Sequence, residues 1–162
     1  MSHTHETVLI RAAEAEVLQD GALSTITLLT DSGTTGDAVT TTRALLKPGS
    51  PGAPSHFHTR ATETFFVLDG SLRVLAGDEI VTLEKGDTIA IPPKKPHAFA
   101  PAPGTHADVL VIFTPGMDRF DYYRLLQQVH NGEATFDDIR ASQDRFDNHY
   151  IDSPVWKAAL SQ

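Results

Sequence analysis

The chain has 162 residues, 40% of them hydrophobic, which is one domain's worth of sequence with enough apolar matter for a single buried core. It contains no cysteine, so disulfides, thiolate metal sites and cysteine nucleophiles are excluded, and histidine and carboxylate must carry any chemistry. A formal charge of -8 argues against nucleic acid and anionic membrane as partners, because phosphate binding needs a basic face.

The first residues, MSHTHETVLI, lack a charged flank leading into a long apolar run, and no stretch of the chain matches a membrane span. The expectation is a soluble, cytoplasmic protein. His3 and His5 sit in a polar terminus with no third ligand nearby and are read as bland. Thr7 to Ile10 and Glu16 to Gln19 are short runs with strand character, separated by RAAEA, which alone favours helix. Ser24 to Thr30 and AVTTTRALL are rich in β-branched residues and predict two strands joined by the DSGTTGD turn.

KPGSPGAPS follows, dense in proline and glycine, and leads straight into His56-Phe57-His58 as the loop that presents them. In extended backbone, side chains two apart point to the same side, so His56 and His58 can converge on one ion. Glu63 and His97 would complete a set of three nitrogens and one oxygen, which suits a divalent transition metal and leaves positions free for a guest. Thr64 to Leu68 and Leu72 to Leu75 flank Asp69-Gly70, a hairpin signal. Counting parity from Glu63 puts Phe65 and Val67 on its face as pocket lining. Gly77-Asp78 and Lys85-Gly86 mark turns around EIVTLE, TIAIPP is a short strand ended by prolines, and His97 and Phe99 alternate inward beyond it. VLVIF is the last clear strand; His106, in the loop before it, is read as solvated.

From Asp118 the period changes. Phe120, Tyr123, Leu126 and Val129 recur at helical spacing, and Asn131-Gly132 gives a stop. Thr135 with Asp138 reads as a cap before a second helix from Phe136 to Phe146, and a last helix is predicted over Pro154 to Leu160. The aromatic residues of this tail are expected in core packing, with a bolder reading in which the tail covers the mouth of the domain.

The stretches GAPSHFHTRATETFFVLDG and GDTIAIPPKKPH together resemble the two-part motif of the cupin family. In the family pattern a glycine precedes His-x-His, a glutamate follows after four residues, a glycine after six more, and the second part runs from a glycine through a proline to the last histidine. Here the opening glycine, Gly52, lies closer to His56 than usual, the glycine expected two after Pro92 is Lys94, and the asparagine often four after the last histidine is Pro101. The resemblance implies an all-β dominated fold, a double-stranded β-barrel or jelly roll over residues 1–117, with a helical C-terminal extension over 118–162 packed on it. It implies one divalent transition metal ion (iron, manganese, nickel, cobalt, copper or zinc) held by His56, His58, Glu63 and His97, a small-molecule and possibly aromatic substrate, and a homodimer.

The arrangement further resembles single-domain cupins similar to quercetinases, which cleave a flavonol ring with oxygen and release carbon monoxide. That resemblance gives Glu63 a catalytic role on the substrate hydroxyl, with Phe57, Phe65, Phe99 and Phe113 beside Val67 as apolar walls. Cupin isomerases and polyketide cyclases, using the ion as a Lewis acid, and cupins that only bind a small molecule share the same ligand set. Among cations near the motifs, Arg43, Arg60 and Arg73 are expected to be solvated, and Lys94 and Lys95 to flank the mouth.

Overall fold

The computed structural model describes residues 6–162; His3 and His5 lie outside them. Residues 7–10 form no strand, and Leu9 is 67% exposed: with no partner strand and no apolar face to cover, the run stays irregular. A single 3-10 turn, Ala12–Glu14, replaces the helix that RAAEA favours.

Among the described residues ten strands follow: β1 (Val17–Gln19), β2 (Ser24–Leu28), β3 (Thr40–Leu46), β4 (Ala53–Phe57), β5 (Thr62–Ala76), β6 (Glu79–Glu84), β7 (Thr88–Ile91), β8 (His97–Pro101), β9 (Ala107–Thr114) and β10 (His149–Tyr150). All pairings are antiparallel. One sheet runs β1-β2-β3-β9-β5-β7 and the other β10-β4-β8-β5-β6, so β5 belongs to both. Sheet curls on sheet in the manner of a jelly roll, the fold class the motif implies. No helix among the described residues is long and apolar enough to cross a membrane.

The sharing of β5 corrects the expected hairpin at Asp69-Gly70. The chain does not reverse there; its first half pairs β9 and β7, and its second half pairs β6 and β8. Gly70 makes the change of sheet feasible. Its φ is +75°, and a Cβ on it would stand 2.0 Å from the carbonyl oxygen of His106, so only glycine fits where the strand bends against its neighbour. The true two-residue hairpin is the next one, with Ala76 opposite Glu79 around Gly77-Asp78.

Between the sheets lies the main core, where Phe65, Val67, Leu72, Val74, Val109 and Phe113 are wholly buried. The alternation expected of half-buried strands is plain in β2 and β3, whose inward positions are Ser24, Ile26, Leu28, Thr40, Thr42, Ala44 and Leu46. The inward Thr40 is satisfied by exchanging hydrogen bonds with the backbone of Met117.

The tail holds α1 (Phe120–His130), α2 (Phe136–Ala141), α3 (Gln143–Phe146) and α4 (Pro154–Leu160). Thr135 and Asp138 form the expected capping box at the start of α2. The single helix predicted over 136–146 breaks at Ser142. Nor is the tail purely helical, since His149 and Tyr150 pair with Phe57 and His56 as an added strand. Two contacts dock it, Phe120 and Tyr123 on Leu18, Ile26 and Leu28, and Trp156 on Leu75, Ala98 and Ala100, while Tyr122, Ile139 and Phe146 pack its helices on one another.

Candidate metal centre and cavity

Three strands and one link each deliver a donor. His56, next to last in β4, stands directly opposite His97, the first residue of β8, after a bulge between Ala53 and His56. Glu63 comes from β5 in the facing sheet, paired with Ile91 and Phe113. His58 lies on the short link between β4 and β5. At the entrance to β4, Gly52 has φ +60° and a Cβ on it would meet the carbonyl oxygen of Phe99 at 1.9 Å, so β4 can lie close on β8 only with glycine there. The loop before His97 is tied to the same link through Lys94 N–H to the His58 carbonyl, and Lys94 adopts φ +70°, the left-handed backbone that the motif's usual glycine would supply.

The structure brings His56, His58, Glu63 and His97 together, all at most 3% exposed, with one donor atom from each within 4.8 Å of the others. Every ring is oriented from behind. Nδ1–H of His56 donates to the Pro54 carbonyl at 2.7 Å, that of His58 to the Asp147 carbonyl at 2.7 Å, and that of His97 to the Lys95 carbonyl at 2.9 Å. A carbonyl can only accept, so each neutral ring carries its proton on Nδ1 and turns the Nε2 lone pair inward.

Those Nε2 atoms stand 2.5 Å (His97), 3.0 Å (His58) and 4.0 Å (His56) from Oε2 of Glu63. Lone pairs crowded on a carboxylate oxygen repel unless a cation sits among them, as protons on the rings or as one metal ion. Ligands about 2.0–2.2 Å from a common ion stand roughly 3–4 Å apart, a range that holds the His58 and His56 distances, while His97 stands closer. The ion itself would supply Lewis acidity and sites for exchangeable ligands.

The electrostatics of the bare site follow the same balance. Burial, reinforced by His97 and His58, holds His56 well below its ordinary value of 6.5. Burial alone would raise Glu63, but the neighbouring His97 and the hydrogen bonds from His58 and His97 outweigh it and hold the carboxyl well below 4.5. Burial pulls His97 down, and Glu63 more than reverses this, leaving His97 above 6.5. Glu63 is therefore anionic at neutral pH.

Two of the four donors, His56 and Glu63, line a cavity of about 970 Å³ between the sheets and the tail. Of the expected apolar walls only Phe99 lines it. Phe65, Val67 and Phe113 lie deeper and are wholly buried: the parity count places Phe65 and Val67 on the inward face, but that face is filled core. Phe113 and Phe65 stand behind the imidazoles, 5.5 Å from His58 and 6.3 Å from His97 between ring centres. Phe57 points away and stacks on His149. Lys94 and Lys95 do not border the cavity either, and Arg43 is held by Asp108 in a two-pronged pair. His106 meets Asp69 on the exposed surface.

The tail supplies aromatic residues expected in core packing and two polar residues that the sequence reading did not single out. Tyr122, Tyr123, Tyr150 and Trp156 line the cavity, with Arg119 and Asn148 among them. Arg119 and Asn148 are 3% and 2% exposed. A signal for Arg119 was present: it falls on one helical face with Tyr122, Tyr123 and Leu126, so a charge occupies an apolar stripe. Asp147 takes a left-handed backbone, with φ +49°, and its carboxylate accepts from Thr59 N–H, the Thr59 hydroxyl and Arg60 N–H. That ties the tail to the loop carrying His58. The tail thus forms a wall of the cavity and a brace for the centre.

Residues 42–113 match the family described as Cupin domain. Over those residues the barrel is similar to a cupin domain. No curated protein matches the sequence. Among solved structures, the chain is similar to KdgF from Halomonas sp., at 16% identity over 70% of this chain and 97% of that one, with a TM-score of 0.61. It is similar to an RmlC-like cupin from Shewanella frigidimarina, at 17% identity over 72% and 96% of the two chains, TM-score 0.57. A third likeness is to a cupin from Thermotoga maritima described as a predicted oxalate decarboxylase, at 17% identity over 67% and 99%, TM-score 0.57. At these identities the likeness is one of fold. The cupin match ends before the tail, which in this chain completes the cavity.

Proposed function

We propose that this cupin is a metal-dependent enzyme that oxidises a flat hydroxy-ketone, of the flavonol type, with molecular oxygen. The observation that carries the reading is the union of three inward Nε2 lone pairs and one ionised carboxylate at the border of a large cavity ringed by Phe99, Tyr122, Tyr123, Tyr150 and Trp156. His56, His58, Glu63 and His97 would hold the ion. A structural site is normally closed by four ligands in a tetrahedron, whereas a four-donor set on one side of a six-coordinate ion leaves positions toward the cavity.

Within this reading the aromatic rings hold the plane of the substrate and exclude water. Glu63 accepts the proton of the substrate hydroxyl on a carboxylate oxygen, leaving an electron-rich enolate. The buttressing carbonyls of Pro54, Asp147 and Lys95 keep the three rings in place while the carboxylate changes partner.

The test is a screen of protein reconstituted separately with iron, manganese, nickel, cobalt, copper and zinc, with 3-hydroxyflavone as substrate and an oxygen electrode as detector. Oxygen uptake matched to substrate loss is the expected result. Proton exchange from deuterated water without oxygen uptake would replace the reading with an isomerase or cyclase, and binding without product would replace it with a binding protein.

A further inference from the structure

Arg119 is a buried guanidinium that forms no ion pair with a carboxylate among the described residues. Its Nη1–H donates to Oδ1 of Asn148 at 3.1 Å, its Nε–H has no acceptor among the described residues, and Nδ2 of Asn148 has none either. Three rings surround the guanidinium, with the ring centre of Tyr122 4.2 Å from its central carbon, Tyr123 4.9 Å and Phe113 5.1 Å. The unpartnered Nε–H leaves an N–H edge for a ligand that approaches in the plane. That is the approach a carboxylate uses in a forked pair with arginine.

Charge points the same way. Burying a cation without a partner costs several kcal/mol, so its retention needs an explanation beyond packing. The other acidic groups that border the cavity are engaged: Asp20 meets His130 at 3.0 Å, and Asp152 pairs with Lys157. Glu63 belongs to the histidines.

We propose that Arg119, braced by Asn148, is the anion-binding element of the cavity and receives the carboxylate of the substrate, whose apolar body lies along Phe99, Tyr150 and Trp156. The other arginine and the lysine that line the cavity are engaged, Arg140 with Asp137 and Lys157 with Asp152, and the one guanidinium left matches a carboxylate better than a phosphate. This rests on the reading of the cavity as a substrate site and narrows the hydroxy-ketone to one that also bears an acid.

Calorimetric titration of the full-length protein with benzoate, benzamide and phenyl phosphate tests it, using zinc-loaded and chelator-treated samples. The wild type should bind benzoate about 10- to 100-fold more tightly than benzamide, the range expected of hydrogen bonds to a charged group. Arg119→Gln should erase that preference. Asn148→Asp should erase it too, by offering the guanidinium an internal carboxylate, and it carries the test if Arg119→Gln does not fold. Equal affinity of the wild type for benzoate and benzamide, binding of neither, tighter binding of phenyl phosphate, or a preference that persists in a folded variant would overturn the proposal. A lowered melting temperature with the preference intact would make Arg119 a packing residue only. A carboxylate preference that survives chelation but not Arg119→Gln upholds the anion site even where the metal-dependent reaction fails.

Discussion

Glu63 faces two demands, charge for the ion and basicity for the substrate, and one substitution separates them. Glu63→Gln preserves shape and one neutral oxygen donor while removing the charge. It is expected to retain metal at stoichiometric protein, by elemental analysis, and to lose turnover by about 10²- to 10⁴-fold, the range for a general base. Asp147 gives a test by pH. Burial would raise its carboxyl, but the hydrogen bonds from Thr59 and His149 and from the Arg60 amide hold it below 3.8. A carboxyl that titrates lower in the folded than in the unfolded chain adds stability in full above the unfolded value and loses it as the pH falls through the folded one. Asp147→Asn should therefore cost about 1–3 kcal/mol in urea unfolding at about pH 6, with the gap to wild type closing as the pH drops below 3.8.

Among the elements, β5 shows how far the residues could be read and where they misled. Most of the strands, the inward parity of Glu63, Phe65 and Val67, and the shared side of His56 and His58 follow from local period and spacing, whereas His97 joins them through the resemblance to the two-part motif. The course of β5 does not. Asp69-Gly70 carries the chemistry of a turn, and what makes it a bend is the carbonyl of His106 pressed against Gly70, a contact between residues far apart in the chain. The same argument predicts that Gly70→Ala costs about 3 kcal/mol or more, through backbone strain and overpacking together, measured as a shift in the urea midpoint. β10 was illegible for a related reason. Two residues have no period, and His149 and Tyr150 become a strand only because β4 offers an edge. Phe65 and Val67 were sought in the pocket because parity tells inside from outside but cannot tell a filled interior from a hollow one, and Phe57 and Phe113 because the resemblance called for apolar walls.

For the whole molecule, the centre ties together both sheets and the tail, so occupying it should stabilise all of them at once. A divalent ion at 100 times its dissociation constant adds about 2.7 kcal/mol to the folded state, and removing it with a chelator should lower the melting temperature in one cooperative step. Truncation after residue 117 should leave a less stable barrel and cut metal affinity by about 10- to 100-fold, since His58 loses the carbonyl that aims its ring. The brace from Asp147 to His58 carries this coupling further. Because one stretch of backbone both steers a ligating ring and encloses the guest, metal content becomes a gauge of how firmly the C-terminal segment is seated. Substitutions on the outer faces of α2 or α4, remote from any donor atom, can then be ranked simply by how much ion each purified variant retains.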